Sequence, residues 1–185
     1  MEEPPASRFA RDFDQAWQWF VQDPLLMAAA LPSGGRPYLV WLARLPLTDG
    51  IRRLRRLLGD RRWLLPDDWL HMTVRELGFV EPDAAHPPPA PPQRTVRLGP
   101  PNVLRDSVVL EVRGSGLDGP FRLPHASILY SDATRLDPEL RDVLAAARAA
   151  WRSEGVSLEA MELVAVDTGR PFGPWTVLAR QSLDA

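Results

Sequence analysis

Two short stretches of the chain repeat one pattern: "LHMTV" at residues 70–74 and "PHASI" at residues 124–128. Each holds a histidine, a hydroxyl residue two places on, and an aliphatic residue after that. The chain has only three histidines, so His71 and His125 account for two of them. Imidazole titrates near neutrality, so one ring can be neutral while the other is charged at pH 7. That is the requirement for concerted general-base and general-acid catalysis. Two hydroxyls, Thr73 and Ser127, can donate hydrogen bonds to the non-bridging oxygens of a phosphate. The matching chemistry is cleavage or formation of a phosphodiester: one histidine takes a proton from water or an alcohol, and the other protonates the leaving oxygen. No metal is required. The alternatives are two satisfied core histidines, or a two-histidine metal site. The latter would need a third ligand that no His-x-x-x-His spacing or nearby carboxylate cluster supplies.

Strand geometry decides whether these groups can meet. Residues i and i+2 of a strand share a face. His71 and Thr73 therefore project together, as do His125 and Ser127, with Met72, Val74, Ala126 and Ile128 as apolar anchors on the other side. If the two strands lie close, all four polar groups line one cleft. By the same alternation Arg75 shares the face of His71 and is a candidate phosphate contact. Tyr38 and Trp41, on the strand before, are weaker candidates for substrate contact.

The surrounding elements follow from periodicity and punctuation. Residues 8–22 carry Phe9, Phe13, Trp17 and Phe20 at near-helical spacing and predict a helix ending near Pro24. "RPYLVWLARLP" (36–46) reads as a strand buried on both faces. "TDGIRRLRRLLGD" reads as a helix with Ile51, Leu54, Leu57 and Leu58 on one face and Gly59 as its cap. Its arginines, with Arg61 and Arg62 just beyond, could meet phosphates or simply face solvent. Residues 69–80 predict a long strand. "EPDAAHPPPAPP" (81–92), with the third histidine, His86, predicts an extended surface loop. One or two strands in "TVRLGPPNVLRDSVVLEVRG", the clearer over Ser107–Arg113, another strand over 121–130, a helix over 137–155 capped by Asp137, and two closing strands in "MELVAVD" and "PWTVLARQSLD" complete the chain. The order of elements suggests two related lobes of α+β character.

Composition narrows the function classes. With 45% hydrophobic and 25% charged residues, the 185-residue chain suits one globular domain. A net charge of −2 speaks against a protein that coats nucleic acid non-specifically, while leaving room for a small nucleotide or an RNA end. There is no cysteine, so disulfides and thiolate chemistry are excluded. All 22 basic residues are arginine, which excludes Schiff-base and nucleotidyl-lysine chemistry and a P-loop. No apolar run is long enough to predict a membrane span, and the acidic start "MEEPPASRF" does not read as a signal peptide. A cytoplasmic location is expected.

Paired H-x-[ST]-aliphatic motifs on strands of a two-lobed α+β fold resemble those of the two-histidine (2H) phosphoesterases. That group includes the 2′-5′ RNA ligase / RNA 2′,3′-cyclic phosphodiesterase proteins. "LLPDDWLHMTVRELGFV" looks like the family's first motif, "RLPHASILYSD" like its second, and "LVAVD…PWTVLARQSLD" like its closing strands; the resemblance spans residues 37–183. It implies an α+β fold of two pseudo-symmetric lobes of antiparallel sheet, flanked by helices around a central cleft. Residues 1–36 would be a helical extension and 37–185 one bilobed domain, with a Pro-rich loop at 81–93. It further implies His71 and His125 as the catalytic pair and Thr73 and Ser127 as phosphate-binding hydroxyls. In hydrolysis of a 2′,3′-cyclic phosphate, His125 would be the base toward water and His71 the acid toward the 3′ oxygen. No metal or cofactor is implied, the substrates would be RNA 3′ ends or small nucleotides, and a monomer without an obligate protein partner is expected. There are departures from the family pattern. Many members carry an arginine five places after the second histidine, where this chain has Tyr130, able to hydrogen-bond or stack on a base. Only "RGSGLDGPFRLP" separates the preceding strand from His125, where members usually have a helix. Alternative functions are the same chemistry on a 2′-5′ or cyclic oligonucleotide signal or a cyclic nucleotide, or non-catalytic binding of RNA ends.

Overall fold

The computed structural model describes residues 12–22, 37–61, 64–82, 86–104, 107–117, 124–130, 138–166 and 175–183. In chain order these form α1 (Phe13–Gln22), β1 (Tyr38–Arg44), α2 (Asp49–Leu58), a 3-10 turn (Asp67–Trp69), β2 (His71–Phe79), β3 (Thr95–Leu104), β4 (Ser107–Arg113), β5 (His125–Tyr130), α3 (Pro138–Ala150), β6 (Glu154–Ser157), β7 (Ala160–Val166) and β8 (Thr176–Ser182). The eight strands make one antiparallel sheet in the order β6-β3-β4-β5-β2-β1-β7-β8. The fold is α+β. The two motif-bearing strands, β5 and β2, are neighbours at its centre.

One face of the sheet carries the main core. Leu39, Trp41 and Ala43 of β1, Met72 and Val74 of β2, Leu110 and Val112 of β4, and Ala126 and Ile128 of β5 are buried there. They pack with Ile51, Leu54 and Leu58 of α2, Leu140, Leu144 and Ala147 of α3, and Ala16 of α1. The N-terminal helix thus shares this core, and Arg141 of α3 holds its Asp14 at 2.6 Å. Residues 8–11 of the expected helix lie outside the described residues. The opposite face holds a smaller cluster of Val40, Leu42 and Val164, edged by Tyr38, Val166 and Trp175.

Local signals explain most element ends. Thr48 caps α2, accepting from the Ile51 N–H at 3.3 Å, and Gly59 closes it at φ 65° with its N–H on the Arg55 carbonyl. Leu57 departs from the expected apolar face of α2: it is 54% exposed, because its place on the helix points beyond the stripe of Ile51, Leu54 and Leu58. Arginines of α2 are tied to acids, Arg53 to Glu154 and Arg55 to Asp67, as a charged helix surface would be. Strand β2 begins at His71 rather than at 69, since the chain first makes the 3-10 turn. Helix α3 ends at Ala150, not at Gly155; Trp151 turns back onto the Arg148 carbonyl, and Gly155 lies in β6 opposite Arg97. Strand β3 runs through Gly99-Pro100-Pro101 because its register with β4 shifts there, so the prolines need give no ladder hydrogen bond. His86 is partly buried rather than free in solvent, with Nε2 2.8 Å from the Glu81 carbonyl. Among the described residues no helix is long and apolar enough to cross a membrane.

Candidate active site

The floor of the site is a single cross-strand pair. Met72 of β2 lies opposite Ala126 of β5 in antiparallel register, and both side chains are fully buried in the main core. Antiparallel pairing then sets His71 beside Ser127 and Thr73 beside His125 on the other face. All four are half-buried. Two half-sites 54 residues apart in sequence thereby become one square of two imidazoles and two hydroxyls. The proximity is felt electrostatically: His125 helps to lower the pKa of His71.

Each half-site is also shaped by a bulge at its fourth residue. Leu42 of β1 faces Thr73 and Trp41 faces Arg75, leaving Val74 as the extra residue. On the other side Val109 of β4 faces Ser127 and Val108 faces Leu129, leaving Ile128 extra. Both extra residues are buried in the main core, which anchors the bend. A bulge resets alternation, and this corrects the expectation for Arg75. Exposed and in register with Trp41 of the helix-packed face, Arg75 does not share the face of His71 and Thr73. Glu76, opposite Val40, takes the site-side place instead. The second bulge works the other way for Tyr130. Beyond Ile128 it falls opposite Ser107, on the side of Val109 and Ser127, and is half-buried.

Tyr38 is placed far from the imidazoles. It pairs with Phe79, eight residues along β2 from His71, roughly 25 Å of strand. Its ring meets Phe79 edge-on at 5.3 Å. Burial and the Glu76 carboxylate raise its hydroxyl to about 12, so it stays protonated. Trp41 is buried in the core and does not reach the cleft.

His71 is surrounded by residues that spacing alone did not single out. Its Nδ1 lies 2.6 Å from the Trp69 carbonyl. A carbonyl only accepts, so Nδ1 carries the proton and Nε2 of the neutral ring is a free-lone-pair acceptor. Trp175 meets the His71 ring edge-on at 5.3 Å and stacks on Trp69 at 4.8 Å. Arg44, paired with His71 across β1–β2, lies 4.9 Å over the Trp175 ring. The guanidinium is fixed by Glu162 at 2.7 Å and by the Asp68 carbonyl at 3.0 Å. Burial lowers the pKa of His71 to about 4, with His125 and Arg44 adding to the fall against the opposing Trp69 hydrogen bond. At pH 7 the ring is neutral.

His125 sits between different neighbours. Directly opposite it on β4 is Glu111. This buried carboxylate accepts from Arg113 at 2.5 Å and from Asn102 at 3.3 Å, with Arg148 of α3 3.6 Å away. Neither Arg44 nor Glu111 belongs to a local motif. Their relevance comes from register with partners 27 and 14 residues away, which no spacing rule reads. The register thus brings two imidazoles and two hydroxyls together on one face of the sheet. Comparison with protein-family models gives no match for the chain, and comparison with curated proteins gives none either.

Proposed function

We propose that the protein is a metal-independent phosphodiesterase acting on 2′,3′-cyclic phosphate ends or 2′-5′ linkages of RNA by two-histidine acid–base catalysis. The observation that supports it is the Met72–Ala126 register, which sets both His-x-[Thr/Ser] half-sites side by side on one face. The sheet order supports a bilobed, pseudo-symmetric arrangement of the kind the motifs imply. Strands β5-β4-β3-β6 and β2-β1-β7-β8 run outward from the central pair, and each motif carries its bulge at the same place.

In the proposed reaction Nε2 of His71 takes a proton from water. The water oxygen attacks phosphorus, the bond from phosphorus to the 3′ oxygen breaks, and His125 gives its proton to that oxygen. The product is a 2′-phosphomonoester. Thr73 and Ser127 donate to the non-bridging oxygens as charge builds there. This direction is opposite to the one the family resemblance implies. It is favoured here because His71 is neutral, with its proton held on Nδ1 by Trp69. A 2′ oxygen is needed to form the cyclic phosphate and keeps the phosphorus after the ring opens, which separates RNA from DNA.

Turnover of a 2′,3′-cyclic nucleotide in EDTA tests the proposal. The wild type should turn over, and His71→Ala and His125→Ala should each lose about 10²-fold or more in kcat. The acid limb of kcat/KM should follow His71, with activity lost only as pH falls toward about 4 rather than at the usual imidazole range. Undiminished turnover in both variants would sink the mechanism.

A further inference from the structure

Cross-strand register places one charged side chain beside each histidine, and the two charges have opposite sign. On β1, Arg44 lies opposite His71; on β4, Glu111 lies opposite His125. The strands β1 and β4 flank the central pair symmetrically in the sheet. Directly opposed residues in an antiparallel pair have side chains about 5 Å apart at Cβ and on one face. Each histidine therefore has a charge of different sign directly across the ladder from it.

We propose that Arg44 and Glu111 are paired positioning residues that set the polarity of the site, Arg44 reinforcing the burial that already favours neutral His71 as base and Glu111 favouring cationic His125 as acid. The inference rests on the two-histidine reading above. It adds, to the neutral His71 ring, a second reason for two near-identical half-sites to act differently. A cation disfavours a second positive charge beside it, and an anion favours one. Arg44 is held in place by the Glu162 carboxylate of β7 and the Asp68 carbonyl, and spreads over Trp175. Glu111 is held by Arg113 on its own strand, Asn102 of β3 and Arg148 of α3. These partners fix both flanking groups in place. Facing His71 are also His125 and Ser127 from β5 and the Trp175 ring; facing His125 are Thr73 and His71 from β2. The two imidazoles oppose each other's protonation, which widens any difference the flanking charges create.

The test is histidine ring titration by NMR on the whole protein without substrate, with His86→Gln used to assign the third resonance. In the wild type His125 should titrate at a higher pH than His71. Glu111→Gln should move His125 down by roughly one pH unit and leave His71 nearly in place, and Arg44→Gln should move His71 up. A wild type in which His71 titrates above His125 would overturn the proposal without any variant being made. A Glu111→Gln protein, folded by its unchanged His86 and core methyl signals, with an unmoved His125 titration would overturn it as well. The measurement needs no turnover. Failure of the cyclic-nucleotide assay with the titration order intact would instead count against the phosphodiesterase reading alone.

Discussion

His71 enters the cleft with one ring nitrogen already occupied. Its Nδ1 proton points at the Trp69 carbonyl, and Trp175 packs against it edge-on. Such a ring resists protonation, and the consequence reaches stability. The unfolded chain binds a proton at His71 as pH falls through about 6.5, whereas the folded chain does so only near about 4. The contribution is therefore complete above pH 6.5 and is lost progressively down to pH 4. It amounts to roughly 3 kcal/mol at full size, reduced by whatever water screens in a half-buried ring. Unfolding by urea at a series of pH values, wild type against His71→Gln, should show the wild type losing that much more stability across this window. Parallel curves would refute it. The His-x-Thr and His-x-Ser pairs were legible in sequence because strand alternation is local. Arg75 was misread for the same reason: alternation held through Thr73 and failed at the Val74 bulge, which only the partner strand β1 defines. Trp175 and Arg44 could not be read locally, being brought to His71 by pairing across 104 and 27 residues.

Between the end of β1 and the start of β2 the chain must carry Arg44 to a position directly beside His71. Helix α2 makes that return, and its start rests on Thr48, whose extended backbone and side-chain acceptor satisfy the Ile51 N–H. Thr48→Ala should cost about 1 kcal/mol, seen as a fall of about 2–4 °C in Tm for a chain of this size. A Tm unchanged within error would mean the cap carries no stability. At this scale strong local signals were readable: the Gly59 stop of α2, the buried strand β1, and the body of α3, whose expected cap Asp137 lies outside the described residues. Strand β6 was not, since "EGVS" has no strand pattern of its own and forms one only because β3 offers an edge. Over residues 95–114 the sequence left one or two strands open, and the register shift that admits the prolines of β3 is a property of two strands together.

The two halves of the sheet share very little backbone at their junction. Between β2 and β5 the registered pair is Met72–Ala126, and beyond it β5 takes up Leu64 and Leu65 instead, with the Leu65 N–H on the Ile128 carbonyl. The seam between β2 and β5 is therefore narrow. What holds the halves together is then side-chain packing. The main core runs without a break from Trp41 and Met72 through Ala126 to Leu110 and Leu98. Burial of that kind is cooperative, so the halves should unfold as one. Fluorine-labelled tryptophan NMR during urea titration reads both at once, through Trp41 in β1 and through Trp151, whose indole N–H donates to the Leu98 carbonyl of β3. Their transitions should coincide. Met72→Ala, which empties the centre of the seam, should lower stability by about 2–5 kcal/mol and move both resonances together. If the variant instead separates the Trp41 and Trp151 midpoints, the halves are independent units, and the cleft is an interface between them.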